Sequence, residues 1–393
     1  MISCRSAAPI VRLLGAAAAA GNERQMSPRA VMGSTPAELH APRAQCDRYT
    51  DETYGRMRDD AMRTSAYRRA IEQHAPGRTC VDIGTGALAL LAVIAARAGA
   101  EHVFAIEANA EAAAAARVAV ADQGLAERIT VLEGYSTDVT LPRPADLVIH
   151  EILGEIASAE GVVSALVDAG RRHLGPAGGG GAPVSIPARA RTLVAPCEFP
   201  GSDYFDALPF PMLAAPGAQV LKLPGLPREL LLSAAQPFED LRFEAAAPEA
   251  SHARELRFTV QRSGEVRGEP YSPRSPHDTP TTSFSAVWPV ARLPSQLRGL
   301  ALHLELFFSD DSGEEQPETA PGVSSADPGS HWANVFVLLE PVEVREGATL
   351  LVRTTAELEG ATPQYTFQAW LGEQGDEREP EAMRCLGEVV RYP

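Results

Sequence analysis

The chain has 393 residues, of which 45% are hydrophobic and 22% charged, so it can bury a sizeable core and fits two domains better than one. Its formal net charge of -16 disfavours nucleic acid and membranes as partners and favours basic peptides. The five cysteines are scattered without metal-binding spacing, so we expect a reducing compartment, no disulfide framework and no metal site.

The chain begins with a stretch, residues 1–33, that is rich in alanine, serine and arginine and contains Glu23 as its only acid. This composition resembles an organellar transit peptide, and a disordered alanine-rich leader fits it equally well. We expect residues 1–45 to be such a leader. The expected location is cytoplasmic or nuclear, with organellar targeting as the alternative.

Helical and short apolar segments alternate from Tyr49 to about Pro187. A helix is predicted over 59–74, with an apolar face formed by Met62, Ala66, Tyr67 and Ala70. Strands are predicted at 79–84, 102–107, 129–134 and 145–151, with helices at 87–99 and 109–124 between them. This alternation predicts an α/β Rossmann-like domain over residues 46–187, built on a parallel sheet.

The pattern changes to strands alone in the second half of the chain. Strands are predicted at 241–247, 255–263, 281–291, 299–309, 334–344, 348–358 and 363–372. Short strands separated by Gly, Pro and acidic turns predict an all-β domain, barrel-like or sandwich, over residues 188–393.

A glycine turn, Gly84 and Gly86, follows the first strand of the α/β half, and Asp82 lies within that strand. Glu107 ends the next strand, where an acid can bind both hydroxyls of a ribose. Leu88 stands near the place of the third glycine of a dinucleotide fingerprint, and no basic residue is nearby for a pyrophosphate. These features favour a nucleoside-type cofactor over NAD, and S-adenosylmethionine is the commonest one for this layout.

Small polar residues follow the third strand, and Ser136 and Thr137 are candidates for binding the adenine of the cofactor. Such residues are also ordinary in turns, so this assignment depends on the rest of the site.

Two glutamates, Glu151 and Glu160, lie nine residues apart in the apolar stretch "HEILGEIASAEG" after the fourth strand. Two carboxylates in a dry pocket repel each other unless a cation lies between them. A guanidinium accepts carboxylates on two edges and always stays charged, so the pair favours arginine as the bound group. Metal is the competing use, but no histidine or further acid lies at ligand spacing here.

These motifs resemble those of the protein arginine methyltransferases, from about Tyr49 to the C-terminus. The segments that carry the resemblance are "RMRDDAMRTSAYRRAI", "VDIGTG", "AIE", "HEILGEIASAEG" and "SHWANVFVLLEPVEV". The resemblance implies transfer of a methyl group from S-adenosylmethionine to arginine in basic proteins, such as histones or Arg-Gly-rich proteins. Two other activities stay open: methylation of a small guanidino or amine metabolite, and a degenerate member that only binds partners.

The resemblance also implies roles for individual residues. Arg63 would bind the carboxylate of the cofactor, and Glu151 and Glu160 would hold the substrate guanidinium. The other cofactor-binding residues would be Asp82, Gly84, Gly86 and Glu107.

Four residues complete the site that the resemblance implies. His331 would pair with Asp60, Met57 would lie beside the accepted methyl group, and Trp332 would line the pocket. Since a methionine at position 57 leaves room for a second methyl group, monomethyl and asymmetric dimethyl products are expected.

The chain also departs from the family pattern. Leu88 replaces a family glycine and His150 a serine, and of the tyrosine-rich N-terminal motif only Tyr49 and Tyr54 remain. A short dimerisation arm is expected near 198–221, which implies a homodimer.

Overall fold

The computed structural model describes residues 57–175, 184–198, 220–226, 228–243, 251–261, 296–308, 322–327, 329–358 and 363–392. The leader expected at 1–45, most of the arm expected near 198–221 and the strand predicted at 281–291 lie outside these ranges.

The first half is built on a parallel sheet of five strands in the order β3-β2-β1-β4-β5. Its strands are β1 (Thr79–Ile83), β2 (His102–Glu107), β3 (Ile129–Glu133), β4 (Leu147–His150) and β5 (Val184–Ile186). Strand β1 lies between β2 and β4, so the chain changes direction across the sheet at the β1/β4 boundary. In sheets of this type ligands bind beyond the carboxyl ends of the strands at such a boundary.

The helices that accompany this sheet in the described residues are α1 (Ala61–His74), α2 (Leu90–Ala98), α3 (Ala110–Asp122) and α4 (Val162–Arg172). Asn109 caps α3 by accepting a 2.9 Å hydrogen bond from the backbone N–H of Ala112, as its position in the sequence predicts. Gly99 ends α2 in the left-handed conformation with φ 103°.

The second half forms two antiparallel sheets. The larger contains β6 (Arg189–Cys197), β7 (Val220–Pro224), β8 (Gln236–Arg242), β10 (Gln296–Phe307), β11 (Val323–Ser324) and β12 (Ala333–Glu343). The smaller contains β9 (Ser251–Thr259), β13 (Ala348–Glu357), β14 (Gln364–Gln374) and β15 (Arg384–Tyr392). Short 3₁₀ helices occur at Arg228–Leu230 and Pro380–Ala382.

One hydrophobic core cluster runs through both halves and includes Tyr67 and Val81 from the first and Phe238, Leu302 and Tyr365 from the second. The two halves therefore pack directly on each other. Within the described ranges, no helix combines the length and apolar character needed to cross a lipid bilayer.

The structure refines two expectations from the sequence. Met62 is 37% exposed, whereas Ala66, Tyr67 and Ala70 of the predicted apolar face are buried, so only the part of α1 beyond its first turn packs into the core. Cys385 in β15 is disulfide-bonded, which the scattered cysteines did not predict.

Candidate active site

The glycine turn after β1 takes a conformation that favours glycine at two positions, since Gly84 has φ +77° and Gly86 has φ +66°. The backbone N–H groups of Gly84 and Thr85 both donate to the Ile106 carbonyl at 3.0 Å, which fixes the turn against β2. A Cβ atom at Gly84 would lie 2.6 Å from Cγ2 of Ile152. The turn therefore touches the loop that carries the paired glutamates.

Two carboxylates flank this turn. Glu107 accepts 2.8 Å hydrogen bonds from the backbone N–H groups of Gly86 and Asn109, one on each oxygen. Asp82 is fully buried and accepts a 2.6 Å hydrogen bond from the Thr85 hydroxyl on Oδ2. Burial raises the pKa of Asp82 to about 7, against the opposing effect of the Thr85 hydrogen bond.

The loop after β3 is held by the end of α4. The carbonyl of Ser136 lies 2.5 Å from Nη2 of Arg172 and 2.7 Å from Nε2 of His173. Ser136 itself is buried, and Thr137 is exposed beside Asp138. Arg172 and His173 were not predicted as part of the site, because only the folded chain brings α4 next to this loop.

A buried ion pair connects α1 to the end of β4. Nη2 of Arg63 donates to Oε2 of Glu151 at 2.7 Å, and both side chains are 4% exposed. Burial disfavours the charged guanidinium, but Glu151, Tyr67 and Asp60 together outweigh this effect, so the pKa of Arg63 is raised. Nη1 of Arg63 also lies 3.4 Å from the Met57 carbonyl, and the Tyr67 hydroxyl donates to the His150 carbonyl at 3.0 Å.

Asp60, the residue that caps α1, joins the helix to the second half. Its Oδ1 accepts a hydrogen bond from the backbone N–H of Arg63 at 2.8 Å. Its Oδ2 contacts His331 twice: it accepts from the backbone N–H of His331 at 3.0 Å and lies 2.9 Å from the ring Nδ1. Burial alone would raise the pKa of Asp60. The hydrogen bonds from His331 and Arg63 outweigh this effect, so the pKa of Asp60 lies below its ordinary value. Trp332 stacks beside His331, and its indole N–H donates to the Leu153 carbonyl at 2.9 Å.

The remaining glutamates of the loop occupy different environments. Glu160 is partly buried and directly precedes Gly161, a left-handed residue (φ 81°) from which α4 begins. Glu155 forms a 2.9 Å ion pair with Lys222, whose side chain is half exposed. Glu155 therefore pairs with Lys222, whereas Glu151 pairs with Arg63.

The negative charge of Glu151 is balanced within the protein. Arg63 supplies the positive charge that neutralises Glu151, the first of the two glutamates. Among the described residues, no group of three or more His, Cys, Asp or Glu side chains is placed to hold a metal ion.

The chain is similar to known methyltransferases. The family model described as "Ribosomal protein L11 methyltransferase (PrmA)" matches residues 64–175. "Probable histone-arginine methyltransferase CARM1" of Oryza sativa subsp. indica is 29% identical over 310 residues, which cover 76% of this chain and 53% of that protein. "Protein arginine N-methyltransferase PRMT10" of Arabidopsis thaliana is 36% identical over 145 residues, or 36% of each chain. The chain spans about half, or less, of the length of the first relatives it matches.

Solved structures share the fold. Protein arginine methyltransferase 10 of Arabidopsis thaliana aligns with TM-score 0.64 and 18% identity over 88% of this chain and 99% of that one. The Trypanosoma brucei PRMT1 enzyme-prozyme complex with AdoHcy aligns with TM-score 0.61 and 18% identity over 86% and 98% of the two chains. The predicted fold class and the resemblance to protein arginine methyltransferases are thereby confirmed.

Proposed function

We propose that this chain, a relative of the protein arginine methyltransferases, transfers a methyl group from S-adenosylmethionine to a guanidino nitrogen of arginine in proteins. The observation that carries the proposal is the buried Arg63–Glu151 pair, fixed on the same helix turn as the Asp60–His331 pair. Residues from both halves meet there, beyond the carboxyl ends of β1 and β4. When bound, the cofactor supplies an electrophilic methyl group carried on a sulfonium.

The residues at the glycine turn fit this cofactor. The turn exposes backbone at Gly84, and the Glu107 carboxylate is held in place by two backbone N–H groups while it keeps lone pairs for ribose hydroxyls. Two buried polar atoms, Oδ1 of Asp82 and Nε of Arg63, lack a hydrogen-bond partner within the described part of the chain. Nε of Arg63 is a donor suited to the carboxylate of the cofactor.

The acceptor arginine would be held by Glu151 and Glu160. A guanidinium nitrogen is a poor nucleophile, because its lone pair is delocalised over the whole group. Carboxylates on the other nitrogens draw the positive charge toward themselves and leave electron density on the free nitrogen. A cationic acceptor suits two carboxylates better than a neutral group does, and Glu151 already binds one guanidinium, that of Arg63.

The contact between Asp60 and His331 favours one tautomer of a neutral histidine ring. An ionised Asp60 accepts from Nδ1–H, so the proton of a neutral ring sits on Nδ1 and Nε2 stays available as an acceptor. Nε2 of His331 can then take the proton that the guanidinium releases on methylation. The neighbouring Trp332 holds the loop of His331 against the loop of the glutamates, because its indole N–H donates to the Leu153 carbonyl.

Basic protein segments are the partners that we propose. The net charge of -16 favours cationic chains, and one relative is named a histone-arginine methyltransferase. We also propose a homodimer that uses residues 198–221, and a cytoplasmic or nuclear location.

The test is a methylation assay of the full chain with radiolabelled S-adenosylmethionine on histones, Arg-Gly-rich peptides and free arginine, with hydrolysed products separated. We expect labelled methylarginine from the protein acceptors. Glu151→Gln keeps the shape but removes one charge of a buried set, which costs roughly 2–5 kcal/mol, so the rate should fall about 30-fold or more. Glu160→Gln should behave alike.

The matched control is Glu155→Gln, which lies in the same loop but pairs with the half-exposed Lys222. Its rate should stay within about twofold of the wild type, because exposed pairs contribute little. If only free arginine is labelled, the acceptor is a small guanidino compound and not a protein. An undiminished rate in Glu151→Gln would exclude the carboxylate pair as the guanidinium site.

A further inference from the structure

A carboxylate that the proposed reaction does not use lies in the core of the second half. Glu239 on β8 is fully buried. It accepts hydrogen bonds from the Thr192 hydroxyl at 2.8 Å, the Ser158 backbone N–H at 3.4 Å and the Ser158 hydroxyl. The hydroxyls of Ser158 and Tyr365 are 2.6 Å apart, and since Ser158 donates to Glu239, Tyr365 is the donor to Ser158.

These bonds join the two halves of the molecule. Ser158 belongs to the loop of the paired glutamates, whereas Thr192, Glu239 and Tyr365 lie on β6, β8 and β14. Thr192 also accepts from the backbone N–H of Ala157 at 2.9 Å. Two consecutive backbone N–H groups of the loop, those of residues 157 and 158, are therefore fixed by the second half.

The hydrogen-bond donors around position 239 suit the carboxylate of glutamate and not the amide of glutamine, which has the same shape. Burial raises the pKa of Glu239, while hydrogen bonds from Ser158 and Thr192 oppose the rise. The hydrogen bonds to this carboxylate within the described residues all come from N–H or O–H donors, so an acceptor-only side chain satisfies them. A glutamine would turn its NH₂ group toward one of these donors and leave a buried polar atom unsatisfied.

The anchored residue also closes the turn that carries Glu160. The backbone N–H of Gly161 donates to the Ser158 carbonyl at 2.9 Å, so Glu160 lies inside a turn whose first residue is held by Glu239. Glu151, at the other end of the loop, is held separately by Arg63. The two glutamates are thus positioned by different groups, one from each half of the chain.

We infer that Glu239 is a positioning residue that fixes Glu160 for binding of the acceptor arginine, through Ser158 and with Tyr365 and Thr192 as supports. This inference rests on the proposed function. Glu239 itself does not touch substrate or cofactor. Its loss should therefore weaken the acceptor side of the site and leave the cofactor side unchanged.

The experiment compares full-length wild type, Glu239→Gln and Tyr365→Phe. Three quantities are measured: KM for an Arg-Gly-rich peptide, Kd for S-adenosylhomocysteine by calorimetry, and hydrogen exchange of the amides in 151–161. Glu239→Gln should raise KM about tenfold or more, keep Kd within twofold and speed exchange in 151–161. Tyr365→Phe removes a single donor and should raise KM and speed exchange in 151–161 by less. This variant keeps the inference testable if Glu239→Gln does not fold.

The matched control is Glu305→Gln, which breaks the 2.8 Å pair with Arg191 in the same half of the molecule but not at the loop. It should lower Tm without changing KM, Kd or exchange in 151–161. Unchanged exchange in both test variants, or an equal change in Glu305→Gln, would overturn the inference. If the wild type methylates no peptide, the proposed function fails, whereas the exchange measurement still decides whether Glu239 anchors the loop.

Discussion

Arg63 and Glu151 are 88 residues apart in sequence and form a 2.7 Å ion pair from which water is almost excluded. Removing one member of such a pair leaves the other buried and uncompensated, which costs about 3–5 kcal/mol. Arg63→Met should lower the free energy of unfolding by this amount, measured in urea. Arg63→Met/Glu151→Leu should be more stable than either single variant.

The half-exposed Arg117–Glu133 pair is the control for this cycle. Arg117→Met should cost less than about 1 kcal/mol, because water screens an exposed pair. If the effects at Arg63 and Glu151 simply add, the two side chains are not coupled in the way that their geometry indicates.

Asp60→Asn should weaken both the cap of α1 and the hold on His331. An asparagine has one acceptor oxygen for the three donors that Asp60 now serves, so at least one buried donor loses its partner, at about 1–3 kcal/mol. We expect methylation to slow about tenfold or more and Tm to fall. Asp59→Asn is the control, since Asp59 is 67% exposed and pairs with its neighbour Arg58. Equal losses in both variants would refute the role of Asp60.

Asp82 makes the stability of the protein depend on pH. Its pKa is about 7 when folded, above the ordinary value of 3.8, so folding favours the protonated carboxyl group. Stability from this group is present at pH 4 and is lost as the pH rises toward 7, by up to about 4 kcal/mol. Asp82→Asn stays neutral and should lack this loss. Urea unfolding of both proteins from pH 4.5 to 8 measures it, and parallel curves would contradict the shift.

His150 acts in the opposite direction. Burial lowers its pKa to about 3 from an ordinary 6.5, so the folded protein keeps the ring neutral. The stability that this gives is complete above pH 6.5 and declines as the pH falls, by about 2–3 kcal/mol at pH 4.5. His150→Phe keeps a ring against Phe243 and should lose less stability in acid. His303, with a pKa of about 4, keeps part of the acid sensitivity in that variant.

Ala89, which precedes α2, is the only described residue other than glycine with a positive φ, at 45°. A left-handed conformation costs an alanine roughly 1–2 kcal/mol. Ala89→Gly should therefore stabilise the protein by about 1 kcal/mol in thermal or urea unfolding. Ala92→Gly, within the same helix, should destabilise it by a similar amount, because glycine is unfavourable in a helix interior.

The fold could be predicted where the pattern is local. The strands of the parallel sheet are short apolar runs between helices, and their predicted limits match the structure within two residues for β1, β2 and β3. β15 and α4 were not predicted. β15 has the sequence "RCLGEVVRY", which shows no clear alternation of polar and apolar residues. Its place in the sheet depends on pairing with β14.

The site could be predicted mostly as residue types; of its contacts, the pairing of Asp60 with His331 was predicted from the family resemblance and is present in the structure. The glutamates, the glycine turn and the cap residue Asp60 follow from spacing and from the family resemblance. The bond from Arg63 to Glu151 and the network of Ser158, Glu239 and Tyr365 join residues far apart in sequence. No local pattern encodes such pairs, because they form only when separate elements pack together.

The pairing of Asp60 with His331 has a consequence for biosynthesis. The two residues are 271 positions apart, so Asp60 leaves the ribosome long before its partner is translated. A nascent chain that has completed the parallel sheet still lacks the loop of His331 and Trp332, which closes the site. The protein therefore remains without an assembled active site until most of the second half has been synthesised and β12 has paired with β10.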